Sequence, residues 1–141
     1  MFFNIMSDNS SDIDPIKLMV VDDERDILRI IKRDLEADEN PFKVDVFHSS
    51  ELALQEFDIH PKDYYDLILT DIRMPKMNGF ELYRRIKEKN PAMKIAFITA
   101  FEINRDEFNK VLPSIDVKDF IIKPISMSDL IVKLKLIVKR S

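Results

Sequence analysis

The apolar residues of this chain are concentrated in five short runs separated by polar segments with helical periodicity. Four of the runs contain at least three consecutive apolar residues, which is typical of strands buried on both faces of a parallel sheet. The second run, KVDVF, alternates apolar and polar residues. The five predicted strands cover residues 17–23, 43–47, 66–71, 94–100 and 117–122.

A helix is predicted after each strand, from apolar positions three and four residues apart and from capping residues. The first helix carries its apolar stripe at Ile27, Ile30, Ile31 and Leu35. Prolines or Asn-Pro pairs stop the first, third and fourth helices. The five helices are predicted from Ile27 to before Asn40, from Ser49 to Phe57, from Gly79 to before Asn90, from Asn104 to Pro113 and from Ser126 to about Arg140.

This strand–helix alternation predicts an α/β fold, with a doubly wound five-stranded parallel sheet covered by helices on both sides. The chain has 141 residues, the size of one ordinary domain. We assign residues 15–141 to that domain and residues 1–14 to a flexible N-terminal tail, with Met1 or Met6 as the start.

Composition narrows the possible functions. The chain has no Cys, which excludes disulfides and thiolate metal sites and fits a cytoplasmic location. Its net charge of −4 argues against direct nucleic-acid binding, and no apolar run is long enough for membrane insertion. The single glycine, Gly79, follows the third strand, and we expect it to adopt a backbone conformation that other residues avoid.

Chemically active residues stand at the ends of four predicted strands. Asp22 and Asp23 end the first strand, Asp71 the third, Thr99 the fourth and Lys123 the fifth. Because the carboxyl ends of parallel strands share one edge of the sheet, these side chains should meet in one crevice. Each residue alone is commonly a turn former or a surface group, so the functional interpretation depends on their joint placement.

Three neighbouring carboxylates repel one another, and a hard divalent cation such as Mg²⁺ would relieve that repulsion. An Asp carboxylate in such a site can attack phosphorus and form an acyl phosphate. Lys123 could then pair with the phosphoryl group, and Thr99 could donate a hydrogen bond to it. These residues therefore favour phosphoryl chemistry with Mg²⁺.

The motifs around these residues identify a family. They are VVDDE at 20–24, LTDIRMPKMNGFEL at 69–82, ITA at 98–100 and DFIIKPI at 119–125. In this order the chain resembles the receiver domain of two-component response regulators, in a stand-alone, single-domain form, over residues 16–140. The resemblance implies the flavodoxin-like strand order 2-1-3-4-5.

The resemblance also implies a role for each residue that matches the family motifs. Asp71 is the implied phosphoacceptor, with the family's lysine at Lys123 and a cis proline at Pro124. The implied Mg²⁺ ligands are Asp22, Asp23, Asp71 and the backbone carbonyl of Arg73. The implied switch residues are the hydroxyl of Thr99 and the aromatic ring of Phe120.

The implied function is a phosphorylation switch, which is not an enzyme in the usual sense. It catalyses only its own phosphoryl transfer and a slow autodephosphorylation, with Arg73 and Phe101 beside the site. The implied partners are a histidine kinase or phosphotransfer protein and an output protein. The output protein would bind the face formed by the fourth helix, the fifth strand and the fifth helix. Two phosphorylated copies could also form a homodimer.

Three other functions remain open at this point. A haloacid-dehalogenase-like Mg²⁺-dependent phosphatase also uses a strand-end Asp, but such enzymes have Asp or Thr two residues later, where this chain has Arg73. A flavodoxin-like cofactor binder needs a phosphate cradle that the acidic DDERD segment does not offer. A pseudo-receiver interaction module would not need the complete acceptor site. Turnover of p-nitrophenyl phosphate would distinguish the phosphatase.

Overall fold

The structure is a computed structural model that describes residues 14–100 and 120–140. The predicted fourth helix, the beginning of the predicted fifth strand, Phe101 and residues 1–13 of the predicted tail lie outside the described residues. Within the described ranges, strands and helices alternate in the predicted order.

Five strands and four helices are described, with ends that differ from the predicted ones by a few residues. The strands are β1 (Ile16–Val21), β2 (Phe42–Phe47), β3 (Leu67–Thr70), β4 (Ile95–Thr99) and β5 (Phe120–Ile122). The helices are α1 (Arg25–Leu35), α2 (Ser50–Ile59), α3 (Gly79–Lys89) and α4 (Met127–Lys139), of which α4 is the last of the five predicted helices. None of these four helices combines the length and apolar character needed to cross a membrane.

The five strands form one parallel sheet with the order β2-β1-β3-β4-β5. The predicted doubly wound sheet and its strand order are therefore confirmed. The order reverses direction at β1, so β1 and β3 lie side by side at the switch point, where parallel α/β sheets bind ligands. Val21 and Thr70, the last residues of these two strands, are register partners.

Alternate residues of the central strands face two separate hydrophobic cores. Leu18 and Val20 of β1 pack with α1 and α4, whereas Met19 and Val21 pack with α2 and α3. All four residues of β3 are buried, because helices cover both faces of the sheet. This double burial explains why β3 reads as an uninterrupted apolar run that ends directly before Asp71.

Capping residues define where three of the helices begin. Ser49 accepts a hydrogen bond from the backbone N–H of Leu52, and Ser126 accepts one from that of Asp129, as the sequence predicts. Asn78 caps α3 in the same way, through the backbone N–H of Glu81. In contrast, Glu24 precedes α1 without a side-chain cap.

Candidate functional site

Backbone hydrogen bonds just beyond the strand ends hold the site residues side by side. The N–H of Asp22 donates to Phe47 O at 3.1 Å, and the N–H of Asp71 donates to Val21 O at 2.9 Å. At the other side of the sheet, the N–H of Lys123 donates to Thr99 O at 2.8 Å. The ladder thus continues one residue past the strands, so these side chains emerge at one edge.

The three acidic residues meet as the sequence predicts. Asp22, Asp23 and Asp71 each offer a carboxylate oxygen, and these oxygens lie within 4.8 Å of one another. Asp22 and Asp71 are buried, whereas Asp23 is exposed, so one side of the cluster is open to solvent. An all-oxygen donor set that is open on one side fits Mg²⁺, which keeps several waters when proteins bind it.

Asp71 is held in one orientation by its own loop. The N–H of Ile72 donates to Oδ1 of Asp71 at 2.7 Å, and the hydroxyl of Thr70 donates to its backbone carbonyl at 2.9 Å. Burial raises the pKa of Asp71, the nearby charge of Lys123 opposes this effect, and the charges of Asp22 and Asp23 add to it. A cation at the cluster would favour the ionised form that a nucleophile requires.

Lys123 bridges two of the carboxylates. Its Nζ donates to Oδ2 of Asp22 at 2.8 Å and lies 3.6 Å from Oδ2 of Asp71. Burial alone would lower the pKa of Lys123, but the hydrogen bond with Asp22 and the charge of Asp71 outweigh it and raise that pKa. The ammonium group is therefore charged at neutral pH and lies within reach of an anion on Asp71.

The prediction that Gly79 adopts a backbone conformation that other residues avoid is wrong. Gly79 does not have a positive φ, and the left-handed residue of this loop is Lys76, with φ of 69°. Gly79 is required because a Cβ at its position would lie 2.1 Å from the backbone oxygen of Asp71. Its N–H also closes the loop by donating to Ile72 O at 2.8 Å. The glycine thus lets the first turn of α3 pack directly against the backbone of Asp71.

The remaining predicted site residues surround this cluster in different ways. Thr99 is fully buried at the end of β4, and the ring of Phe120 stacks on buried Phe97 at 5.1 Å between centroids. The peptide bond between Lys123 and Pro124 is cis, as the resemblance implies. The side chain of Arg73 is exposed in the loop after Asp71.

Two contributors to the site were not predicted because they act through backbone groups. The N–H of Ile72 orients Asp71, and the N–H of Glu24 donates to Oδ1 of Asp22 at 2.9 Å. Every residue except proline has such a donor, so residue identity gives no signal for them. The cap at Asn78 was not predicted either, although Glu81 follows it at capping-box spacing and so gave a signal in the sequence.

Comparison with known proteins adds independent findings. Residues 18–135 match the family model described as response regulator receiver domain. The chain is 30% identical over 125 residues to the response regulator ArlR of Staphylococcus saprophyticus, covering 88% of this chain and 53% of ArlR. It is 29% identical over 131 residues to the transcriptional regulatory protein TrcR of Mycobacterium tuberculosis, covering 93% of this chain and 48% of TrcR. The chain thus spans about half the length of these relatives.

Solved structures show the same architecture. A CheY-like response regulator receiver domain protein from Methanospirillum hungatei superposes with a TM-score of 0.76 at 25% identity, covering 89% of this chain and 94% of that chain. The response regulator TrrA from Thermotoga maritima, solved in complex with Mg²⁺-BeF, superposes with a TM-score of 0.70 at 29% identity. That match covers 86% of this chain and 97% of TrrA.

Proposed function

The chain belongs to the response regulator receiver domain family, and from this premise we propose that Asp71 is the residue that accepts a phosphoryl group from a partner protein. The observation that carries the proposal is the convergence of three carboxylates and one ammonium group at the switch point of the sheet. Asp71 is fixed at two points, because the N–H of Ile72 donates to its carboxylate and the first turn of α3 packs at Gly79 against its backbone.

Mg²⁺ is the cofactor that this donor set fits. The proposed ligands are the carboxylates of Asp22, Asp23 and Asp71 together with the backbone carbonyl of Arg73. When bound, the ion would neutralise charge on the transferring phosphoryl group and align it. The similar response regulator TrrA was solved in complex with Mg²⁺-BeF, which supports Mg²⁺ as the cation.

The residues of the chain supply the nucleophile and the neighbouring positive charge. A carboxylate oxygen of Asp71 forms a bond to phosphorus while the bond between phosphorus and the donor breaks, and the donor leaves with that electron pair. Lys123, which in this structure lies closer to Asp22 than to Asp71, would shift towards the new phosphoryl oxygens as a point charge. Thr99 would donate its hydroxyl to the same group.

The conformational change on phosphorylation would be transmitted from the end of β4 to the neighbouring strand β5. Thr99 lies at the end of β4, and its backbone is tied to Lys123 directly after β5. Phe120, at the start of the same short strand, is half-buried against Phe97. A movement of Thr99 towards a phosphoryl group would therefore be transmitted to Phe120, which is the proposed switch aromatic.

The proposed partners follow from this site and its surroundings. A histidine kinase or a phosphotransfer protein would supply the phosphoryl group. The output protein would bind the face that contains β5 and α4, where Ile122, Val132 and Leu136 are exposed apolar residues. The same face could pair two phosphorylated copies. The phosphatase alternative is disfavoured because Arg73 stands two residues after Asp71, where such enzymes have Asp or Thr. We also infer that the phosphoryl group on Asp71 is lost only slowly.

The test uses acetyl phosphate with Mg²⁺ on the intact chain, followed by intact-mass measurement. We expect one added phosphoryl group, which peptide mapping assigns to Asp71 and which the Asp71→Asn variant lacks. Asp66→Asn is the matched control, because Asp66 lies at the opposite end of β3 and should leave the adduct unchanged. An equal adduct on Asp71→Asn would place the acceptor elsewhere, and sustained turnover of p-nitrophenyl phosphate would favour the phosphatase instead.

A further inference from the structure

The strand β3 ends in a hydroxyl group that burial alone does not explain. Thr70 is fully buried, and alternation along the strand places its side chain on the same face of the sheet as that of Ile68. Valine has nearly the same shape and would pack there without a polar group that must be desolvated. Buried hydroxyls form hydrogen bonds as a rule, and this one donates to the backbone oxygen of Asp71 at 2.9 Å.

The oxygen that Thr70 contacts belongs to the same rigid unit as the N–H that holds the carboxylate of Asp71. The peptide bond between Asp71 and Ile72 is planar, so its C=O and N–H groups move together. The C=O accepts from the hydroxyl of Thr70, and the N–H donates to Oδ1 of Asp71 at 2.7 Å. A rotation of this peptide unit that breaks the first hydrogen bond therefore also disturbs the second.

Gly79 restricts the same peptide unit from another direction. Its α-carbon packs so closely that a Cβ there would lie 2.1 Å from the backbone oxygen of Asp71. A steric contact of this kind only prevents the oxygen from moving towards α3, whereas a hydrogen bond attracts it. Gly79 thus limits the position of this oxygen, and the hydroxyl of Thr70 supplies the attraction that keeps it there.

We propose that Thr70 is a positioning residue for the acceptor: its hydroxyl fixes the peptide unit 71–72 and thereby aims the N–H of Ile72 at Oδ1 of Asp71. The β-branched side chain of threonine has a restricted χ1 angle, so it holds the hydroxyl more firmly than serine would. This inference rests on the proposed role of Asp71 as phosphoacceptor.

The orientation of the carboxylate matters for phosphoryl transfer. While Ile72 holds Oδ1, the other oxygen, Oδ2, lies 3.6 Å from the ammonium group of Lys123. Burial raises the pKa of Asp71, and the hydrogen bond from Ile72 is one of the contacts that oppose this effect and favour the ionised nucleophile. A misplacement of about 1 Å at a reacting group can slow a reaction ~10²-fold.

Two pairs of side chains separate the hydroxyl from the rest of residue 70. The natural Thr70 and Thr70→Val have nearly the same shape, and Thr70→Ser and Thr70→Ala differ by one oxygen. The second pair gives the same comparison if valine impairs folding, which melting curves show. Ser50→Ala is the matched control, because Ser50 is also fully buried and its hydroxyl has no hydrogen-bond partner among the described residues.

The first measurement uses the full chain without Mg²⁺ or a phosphoryl donor. In ¹⁵N–¹H spectra, the amide proton of Ile72 should lie downfield in the natural chain and in Thr70→Ser, because it is bonded to a carboxylate. It should move upfield in Thr70→Val and Thr70→Ala, and Ser50→Ala should leave it in place. An Ile72 amide signal that does not respond to the hydroxyl would overturn the proposal.

The second measurement is the initial rate of phosphorylation by acetyl phosphate with Mg²⁺. We expect Thr70→Val to react at least about tenfold more slowly than the natural chain, and Thr70→Ala to be slower than Thr70→Ser by a similar factor. Ser50→Ala should react at the natural rate. Equal rates within each pair would refute the positioning role. Slow rates with an unchanged Ile72 signal would also refute it, because they would assign the effect to packing.

The Asp71→Asn variant, measured in parallel, tests the proposed function separately. An adduct on that variant would overturn the role of Asp71 as acceptor and with it the role of Thr70. The absence of an adduct on Asp71→Asn, together with an Ile72 signal and a rate that do not depend on the hydroxyl, would overturn only the role of Thr70.

Discussion

Asp71 carries its charge at a position that little water reaches. Its side chain is buried between β1 and β4, and two further carboxylates lie next to it. The ammonium group of Lys123 offsets part of this repulsion from 3.6 Å away, but the pKa of Asp71 remains raised, chiefly through burial. Burial and the two neighbouring carboxylates of Asp71, the proposed phosphoacceptor, therefore oppose folding when no cation is bound.

The first prediction concerns stability and its dependence on pH. Because the pKa of Asp71 is raised in the folded state, the folded protein holds this proton more tightly than the unfolded chain does. The contribution of Asp71 to stability therefore falls as pH rises from the ordinary Asp value through the raised one. Without divalent cations at neutral pH, Asp71→Asn should raise the melting temperature by a few degrees, and this gain should vanish at acidic pH.

Calorimetric or fluorescence melting from acidic to neutral pH checks this expectation. Asp63→Asn removes an exposed carboxylate and should leave the melting temperature nearly unchanged at every pH. Saturating Mg²⁺ should stabilise the natural chain more than Asp71→Asn, by mass action on the folded state. A lower melting temperature for Asp71→Asn at neutral pH would show that its charge is net stabilising.

A second prediction concerns competition between Lys123 and the metal. Lys123 donates to Oδ2 of Asp22 at 2.8 Å, while the N–H of Glu24 occupies Oδ1, so both oxygens of this proposed ligand are engaged. Lys123→Met should tighten Mg²⁺ binding on the order of tenfold, equivalent to ~1.4 kcal/mol, because it removes a competing cation. The same variant should slow phosphorylation by acetyl phosphate.

Isothermal titration with Mg²⁺ separates these effects. Lys32→Met makes the same charge change on α1, where Lys32 pairs with Glu36, and it should leave Mg²⁺ affinity nearly unchanged. If Lys123→Met bound Mg²⁺ no more tightly than Lys32→Met, Asp22 would not be a ligand for which the two cations compete.

At the scale of strands, helices and loops, apolar patterning was sufficient to predict the sheet, because the central strands are buried on both faces. Capping at Ser49 and Ser126 was equally readable. The requirement for glycine in the β3–α3 loop could not be predicted in this way. It arises because the α-carbon of Gly79 lies very close to the backbone of Asp71. Contacts between backbone segments depend on packing geometry, which no local sequence pattern encodes.

The third prediction distinguishes the two backbone requirements of this loop. Gly79→Ala should destabilise the protein by about 1–3 kcal/mol, the usual range for overpacking, because its Cβ would collide with a backbone oxygen that cannot move aside alone. The change should also slow phosphorylation, since that oxygen belongs to Asp71.

Lys76→Gly provides the matched comparison in the same loop. Lys76 has a left-handed φ, which costs a non-glycine residue about 1–2 kcal/mol and costs glycine almost nothing. Glycine, however, loses more backbone entropy on folding, which destabilises the variant by about 0.5–1 kcal/mol. Lys76→Gly should therefore be neutral or stabilising by up to about 1.5 kcal/mol. Denaturant unfolding of both variants gives the answer, and a Gly79→Ala variant as stable as the natural chain would disprove the close contact.

In the whole molecule, the site lies at one edge of a sheet that separates two hydrophobic cores. Ile98 and Ile121 pack in the core between the sheet and helices α1 and α4, the α1–α4 core. Val21 and Ile68 pack in the core between the sheet and helices α2 and α3, the α2–α3 core. Phe97 lies on the sheet between Phe80 of α3 and Phe120 of β5, in a small aromatic cluster that shares Tyr83 with the α2–α3 core. We propose that a change at Asp71 reaches β5 through Thr99 and this cluster, whose described members include no residue of α2.

The last prediction tests that route. Phosphorylation with acetyl phosphate and Mg²⁺ should change amide exchange at residues 120–125 and leave α2 unaffected, since α2 packs on the other core. Thr99→Ala removes the hydroxyl but keeps Asp71, the acidic pair and Lys123, so it should still acquire the phosphoryl group. In that variant the exchange change at residues 120–125 should be lost, because a modification shifts a conformational equilibrium only through contacts that differ between the two states. Hydrogen exchange with mass spectrometry on samples of equal phosphoryl content makes the comparison direct. An undiminished change in Thr99→Ala would assign the link to Lys123, whose backbone N–H joins β5 to the end of β4.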